Sequence, residues 1–233
     1  MSIFIGTSGY SYPEWKGTFY PEKLPAKQML PFYAEQFSTV ESNYTFQKMP
    51  TQGLLCKWAD QVPANFRFAL KAPQQITHRK RLKETEELAD ELFREASALK
   101  DRLGPVLFQL PPNFKKDTPR LKLFLKSLPQ KFRVAFEFRH PSWFDEETYD
   151  CLRARSVALC CADTAEQPLT KIVSTADWGY LRLRGVDYTE ADLRKWHAQI
   201  QSQGWETAFV YFKHEETASG PKLAKQLVEL TGR

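Results

Sequence analysis

Eight short apolar runs, each closed by polar or turn residues, alternate along the chain with stretches of helical periodicity, and this alternation restricts the fold more than any other property of the sequence. The runs are Ile3–Gly6, Thr39–Asn43, Arg67–Lys71, Val106–Leu110, Val134–Phe138, Ala158–Asp163, Tyr180–Arg184 and Phe209–Lys213. VLFQL, VAFEF and ALCCA are nearly continuous hydrophobic stretches, as strands become when both faces of a sheet are covered. Strand and helix repeated eight times with right-handed crossovers close most simply into a single (β/α)8 barrel of the TIM type. The 233 residues fit one such domain over positions 1–233, since these barrels commonly occupy roughly 200–250 residues. An open doubly wound sheet is the rival. Against it, no GxGxxG turn follows the first run, and polar residues end nearly every run instead of gathering at one switch point.

The clearest helical pattern covers Glu86–Leu103, where Leu88, Leu92, Phe93, Ala96, Leu99 and Leu103 form one apolar stripe that Gly104 and Pro105 should end. Helices are also expected over Met29–Phe37, Gln52–Gln61, Pro119–Leu128, Asp145–Arg155, Glu190–Gln201 and Pro221–Leu230. The sixth crossover, Leu169–Asp177, has little helical period, so its helix is expected to be short or missing. The long aromatic stretch Thr7–Lys27, with Tyr10, Tyr12, Trp15, Phe19 and Tyr20, suits either a lid over a barrel mouth or a hydrophobic plug.

Chemistry gathers at the downstream ends of the runs, where parallel barrels build their sites. Glu41 and Asn43 end the second run, Lys71 the third and Gln109 the fourth. The fifth delivers Glu137, Arg139 and His140, the sixth Asp163, the seventh Arg182 and Arg184, and the eighth Lys213, His214 and Glu215. A carboxylate in a strand as apolar as AFEF is costly to bury alone, so Glu137 needs either a task or a cation on a neighbouring strand. Glu137 and Asp163, read as inward carboxylates on adjacent strands, are the expected general acid and base. Lys71 is expected as a clamp, as a base if desolvated, or as the counter-ion of Glu137. Arg139, Arg184 and Lys213 suit capture of phosphate or carboxylate. His78, His140 and His214 lie just beyond strands, where a loop-organising role competes with catalysis. A divalent metal held by Glu137, His140, Asp163 and His214 stays open, although no HxH or HExxH spacing supports it. No nucleotide-cofactor motif is present in the sequence.

A net charge of +5 favours anionic ligands only modestly. The four cysteines, Cys56, Cys151, Cys160 and Cys161, have no CxxC spacing, which argues against a structural zinc and against disulfides. The opening MSIFIGTSGY passes directly into an apolar alternation, and nothing approaches the ~20 apolar residues of a membrane span, so a cytoplasmic protein without membrane contact is expected.

GTSGYSYPEWKGTFYP, VESNYTF, FRFALKAPQQITH, LGPVLFQLPPNF, AFEFRHPSWF, DWGYLRLRG and YFKHEE, in that order, resemble the YecE-like family, a domain-of-unknown-function family, across nearly the whole chain. The resemblance implies a single TIM-type barrel without an established reaction. It carries a polar signature onto Glu41, Asn43, Lys71, His78, Gln109, Glu137, Arg139, His140, Asp163 and Arg182. The FKHEE segment departs from members that carry Asn residues after the last aromatic strand.

Three functions follow as expectations. The first is an acid–base enzyme, a hydrolase or isomerase, acting on a small anionic substrate that is phosphorylated or carboxylated. The second is nucleic-acid binding or phosphodiester processing, with Tyr10, Trp15 and Trp143 stacking bases. The third is a metabolite-binding barrel without turnover.

Overall fold

The computed structural model describes residues 1–164, 171–185, 187–213 and 218–232. Its eight strands are β1 (Ser2–Thr7), β2 (Thr39–Ser42), β3 (Arg67–Lys71), β4 (Leu103–Gln109), β5 (Val134–Glu137), β6 (Ala158–Thr164), β7 (Trp178–Arg184) and β8 (Thr207–Phe212). All pairings are parallel and the order is β1-β8-β7-β6-β5-β4-β3-β2. The ring meets where Ser8 pairs with Glu41 and the Gly9 N–H donates to the Glu41 carbonyl at 2.8 Å. The TIM-type barrel is thus the fold, and every one of the eight apolar runs forms a strand.

Outside the strands lie α1 (Met29–Gln36), the single turn α2 (Tyr44–Gln47), α3 (Gln52–Ala59), α4 (Glu86–Ala96), α5 (Thr118–Ser127), α6 (Glu146–Arg153), α7 (Glu190–Gln201) and α8 (Ser219–Leu230). Asp117, Asp145 and Thr189 cap α5, α6 and α7 by accepting backbone N–H bonds, which satisfies donors that a helix start leaves orphaned. The helix expected over Glu86–Leu103 is shorter. It ends at Ala96, a 3-10 segment follows to Arg102, and Lys100 turns with φ 50°. Gly104 and Pro105 belong to β4 instead of a helix stop, because Leu103 pairs with Phe68 of β3. Gly104 suits that seam: a Cβ there would stand 3.1 Å from the Phe68 carbonyl oxygen. In the sixth crossover none of the described residues 171–177 is helical, while Leu169 and Thr170 lie outside the described residues.

The β1/β2 seam is closed partly by a side chain. The buried Tyr33 hydroxyl of α1 accepts from the Thr7 N–H at 2.8 Å and donates to the Thr39 carbonyl at 3.1 Å. It satisfies two backbone groups that direct strand pairing would otherwise have to satisfy. Gly6 lets the strands approach, since a Cβ there would fall 2.0 Å from the Thr39 oxygen.

The aromatic stretch after β1 is a plug. Trp15, Phe19 and Tyr20 pack on one another, and Phe19 also meets Phe32, Tyr33 and Phe37. With Trp15 1% and Tyr20 2% exposed, these rings are core and present no open platform. No helix among the described residues is long and apolar enough to cross a membrane.

The lumen divides by height. Its lower part is filled by Phe4, Trp178, Tyr180, Phe209 and Tyr211 facing the small Ala69, Ala135, Ala158 and Cys160, so bulk on one side of the ring complements its lack on the other. Above this plug the inward residues become polar.

Candidate functional site

Period two sets which strand residues enter the lumen. On β7, Trp178 and Tyr180 line the interior, so Arg182, two residues further on, points the same way. Fully buried, Arg182 crosses the lumen: Nη1 donates to Glu137 Oε2 of β5 at 2.6 Å and Nη2 to Glu41 Oε1 of β2 at 2.8 Å. Neither β2 nor β5 is a hydrogen-bonded neighbour of β7, so the guanidinium ties together strands the sheet does not join directly. Nη2 also reaches Ser8 Oγ at 3.3 Å.

Each carboxylate has further donors. Glu41 accepts from the Tyr180 hydroxyl at 2.7 Å and from the Ser8 hydroxyl, while Asn43 Nδ2 donates to Ser8 Oγ at 3.0 Å. Glu137 accepts from Gln109 Nε2 at 2.8 Å and Arg139 Nε at 3.0 Å. Burial by itself would raise both carboxyls. The Arg182 charge outweighs it, with hydrogen bonds from Ser8 and Tyr180 for Glu41 and the Arg184 and Arg139 charges for Glu137, so both stay ionised below the usual carboxylate range. A glutamate so firmly ionised is a poor proton donor.

Lys71, at the end of β3, is different. It is 7% exposed, its Nζ sits 3.8 Å from the centre of the Phe46 ring, and it forms no ion pair with a carboxylate among the described residues. Burial pushes its ammonium down to about 7; the Arg182 charge adds to the effect, and Glu41 and Glu137 oppose it. His78 meets the edge of the same Phe46 ring, with 5.0 Å between centroids, and its Nδ1 pairs with Thr77 Oγ1 at 2.9 Å. Burial and the charges of Lys71 and Arg139 carry this imidazole down to about 4, so it is neutral at physiological pH. Arg184, half-buried above Arg182, has its Nε enclosed without a hydrogen-bond partner, and burial with the Arg182 charge lowers its affinity for a proton. Lys213 completes the group through its charge on Lys71.

The structure therefore brings together Glu41, Asn43, Lys71, His78, Gln109, Glu137, Arg139, Arg182, Arg184 and Lys213. It does not bring in the rest. Asp163 belongs to the opposite phase of β6: Cys160 faces the lumen, whereas Cys161 and Asp163 face the helices. Its carboxylate accepts from the Tyr188 hydroxyl, and Tyr188 packs edge-on against Phe212 in the outer core. The expected Glu137–Asp163 acid–base pair is thus corrected; among the described residues the second lumen carboxylate is Glu41. His140 caps the 3-10 turn Pro141–Trp143, its Nδ1 accepting from the Ser142 N–H at 3.2 Å. Trp143 is fully buried and its indole N–H donates to the Phe114 carbonyl at 2.7 Å, while Trp15 is locked in the aromatic plug, so neither can stack a ligand base. Tyr10 packs half-buried against Tyr33. His214 and Glu215 lie outside the described residues. With Asp163 turned away and His140 in a cap, the four-residue metal set does not assemble, and no cluster of three His, Cys, Asp or Glu suited to a metal occurs among the described residues.

Sequence reasoning gave no role in the site to Tyr180, Phe46 or Ser8. The spacing of Tyr180 to Arg182 carried the signal for the first of these omitted partners. Nothing local marks Phe46, which reaches Lys71 from the turn after β2.

The profile of the family described as "Protein of unknown function DUF72" matches residues 4–233. The UPF0759 protein YecE of Escherichia coli K12 is 34% identical over 143 residues, 61% of this chain and 50% of that protein. The UPF0759 protein YunF of Bacillus subtilis is 30% identical over 159 residues, 64% of this chain and 54% of that protein. The chain thus spans about half the length of the curated relatives it matches. Among solved structures, a DUF72 family protein from Thermotoga maritima superposes with a TM-score of 0.86 at 27% identity, covering 100% of both chains. One from Enterococcus faecalis does so with 0.81 at 17% identity, covering 99% of this chain and 96% of its own.

Proposed function

The chain belongs to the DUF72 family of proteins of unknown function, and on that footing we propose that its barrel mouth binds a small phosphorylated or carboxylated molecule and acts on it by proton transfer through Lys71. The observation that carries this reading is the charge imbalance at the strand ends. Among the described residues four cations, Lys71, Arg139, Arg182 and Arg184, act on two carboxylates, Glu41 and Glu137, and Arg182 and Arg139 already take up both. An incoming oxyanion supplies the missing negative charge and a partner for the guanidinium of Arg184. Lys71, titrating close to neutrality, serves as the acid or base, the role for which a catalytic group is best matched when its pKa lies near the working pH. The binding-only alternative needs the cations but no group that changes charge there. The nucleic-acid alternative loses Trp15 and Trp143 as stacking rings.

The test is thermal stabilisation by inorganic phosphate and by a panel of sugar phosphates and oxo acids, in wild type and in Arg184→Met. Ligand that binds only the folded state raises Tm. The expected result is a saturable rise in wild type that Arg184→Met abolishes. A wild-type Tm that no anion moves, or one that moves equally in the variant, overturns the reading.

A further inference from the structure

The surroundings of the Lys71 amine suit attack on carbon as well as proton transfer. Its nitrogen makes no hydrogen bond to any described residue, and it lies over the Phe46 ring, 3.8 Å from the ring centre. An amine used only as a structural cation would be expected to hold a carboxylate, yet Glu41 and Glu137, the carboxylates that act on it among the described residues, are committed to Arg182, Ser8, Tyr180, Gln109 and Arg139. Its lone pair, once the proton leaves, is unclaimed.

We propose that Lys71 is a nucleophile that forms an imine with the carbonyl carbon of an anionic aldehyde or ketone held by Arg139 and Arg184; the substrate class rests on the anion-binding reading above. The neutral amine attacks the carbonyl carbon, the C=O π pair moves to oxygen, and a proton passes from nitrogen to that oxygen to give the carbinolamine. Loss of water then leaves a C=N bond, protonated to the iminium. His78, neutral and on the edge of the same ring, is the group placed to relay the proton to the departing hydroxyl. The iminium keeps a positive charge on the Phe46 face, so the ring that stabilises the ammonium stabilises the product as well. The ketone or aldehyde thereby becomes an electron sink at its α-carbon, as an isomerase or carbon–carbon lyase requires.

The experiment uses the whole chain at about pH 7.5 with pyridoxal 5′-phosphate as a phosphorylated aldehyde reagent, followed by borohydride reduction and peptide mapping by mass spectrometry. A lysine of near-neutral pKa is largely unprotonated there, whereas an ordinary one is about 0.1% so. The secondary amine is expected on Lys71 at least about tenfold faster than on exposed Lys57 or Lys122, with strong suppression by inorganic phosphate. Lys71 labelled no faster than those surface lysines overturns the imine, even if phosphate still raises Tm and the anion site stands. Rapid labelling of Lys71 by an uncharged aldehyde, unprotected by phosphate, supports the nucleophile and overturns the anionic substrate class.

Discussion

In the lower lumen Phe4 stacks on Phe209 at 5.0 Å and Trp178 meets Phe209 edge-on at 6.1 Å, whereas above them a single guanidinium joins Glu41 and Glu137. The two levels occupy the same barrel and are both largely buried, but different forces hold them. The rings contribute through burial and dispersion, which are non-directional and tolerant of small shifts. The charged level contributes only if each carboxylate keeps all its donors, because the desolvation of three ions has to be offset by their mutual attraction and hydrogen bonds. The lower level can be repacked; the upper one is held in a single arrangement, which is what a binding site above it requires.

The largest expected effect breaks the upper level. Arg182→Met leaves two buried carboxylates without their shared cation and should cost about 3–5 kcal/mol in urea unfolding near neutral pH. Phe209→Ala, in the lower level, should cost a similar ~3–5 kcal/mol by leaving a cavity. Acid separates them. Native Glu41 and Glu137 are held below their unfolded value, so their contribution is present above about pH 4.5 and is lost as pH falls through the lower folded values. In Arg182→Met the orphaned carboxylates take up protons earlier, and the deficit relative to wild type should shrink from pH 7 to about pH 4, while that of Phe209→Ala stays flat. Parallel pH profiles for the two variants would erase the distinction.

Tyr180→Phe probes the boundary between the levels, because Tyr180 is a lumen ring whose hydroxyl serves Glu41. Losing a hydrogen bond to a charged group should cost about 2 kcal/mol by the same unfolding measurement. A cost below ~0.5 kcal/mol would place Tyr180 with the apolar level alone. The smallest effect has the opposite sign. The folded value of Lys71, about 7, lies below its ordinary 10.5, so between them the unfolded chain binds more protons and stability rises with pH; below 7 the buried ammonium costs most. Lys71→Met should therefore stabilise the protein by about 1–2 kcal/mol near pH 6, with the gain fading toward pH 10. A destabilised variant at pH 6 would mean that Lys71 binds into the ionic level as Arg182 does.

The alternation of strands and helices was legible in the sequence because each β-run is bounded by turn residues, and the polar strand ends of β2, β3, β4, β5 and β7 lay in the lumen as their type suggested. Phase was not always legible. ALCCAD is apolar on both faces, so nothing in it tells whether Cys160 or Cys161 faces inward, and Asp163 was read on the wrong side. In WGYLRLR the two arginines share a phase with Trp178 and Tyr180, and that alternation sets them on the lumen side. Trp15 and Trp143 misled because a ring in a connecting segment looks available; Trp15 packs on Tyr12, Phe19 and Tyr20 of its own stretch, with Phe19 seated in turn on Phe32, Tyr33 and Phe37, and Trp143 packs on Phe114 and Phe138. Lys71 is ambiguous in the sequence; Phe46 opposite it, and the Glu41 and Glu137 oxygens already taken elsewhere, leave it without a counter-ion among the described residues, and these are long-range facts.

The hydroxyl of Tyr33 wedged between Thr7 and Thr39 makes the first helix a latch for the ring. Until α1 seats, the first and second strands lack the side-chain bridge between Thr7 and Thr39, so docking of that helix completes the seam that the Ser8–Glu41 backbone pairing makes at the mouth. The mouth, whose Ser8 and Glu41 lie directly above this latch, is assembled by the same act that makes the cylinder whole.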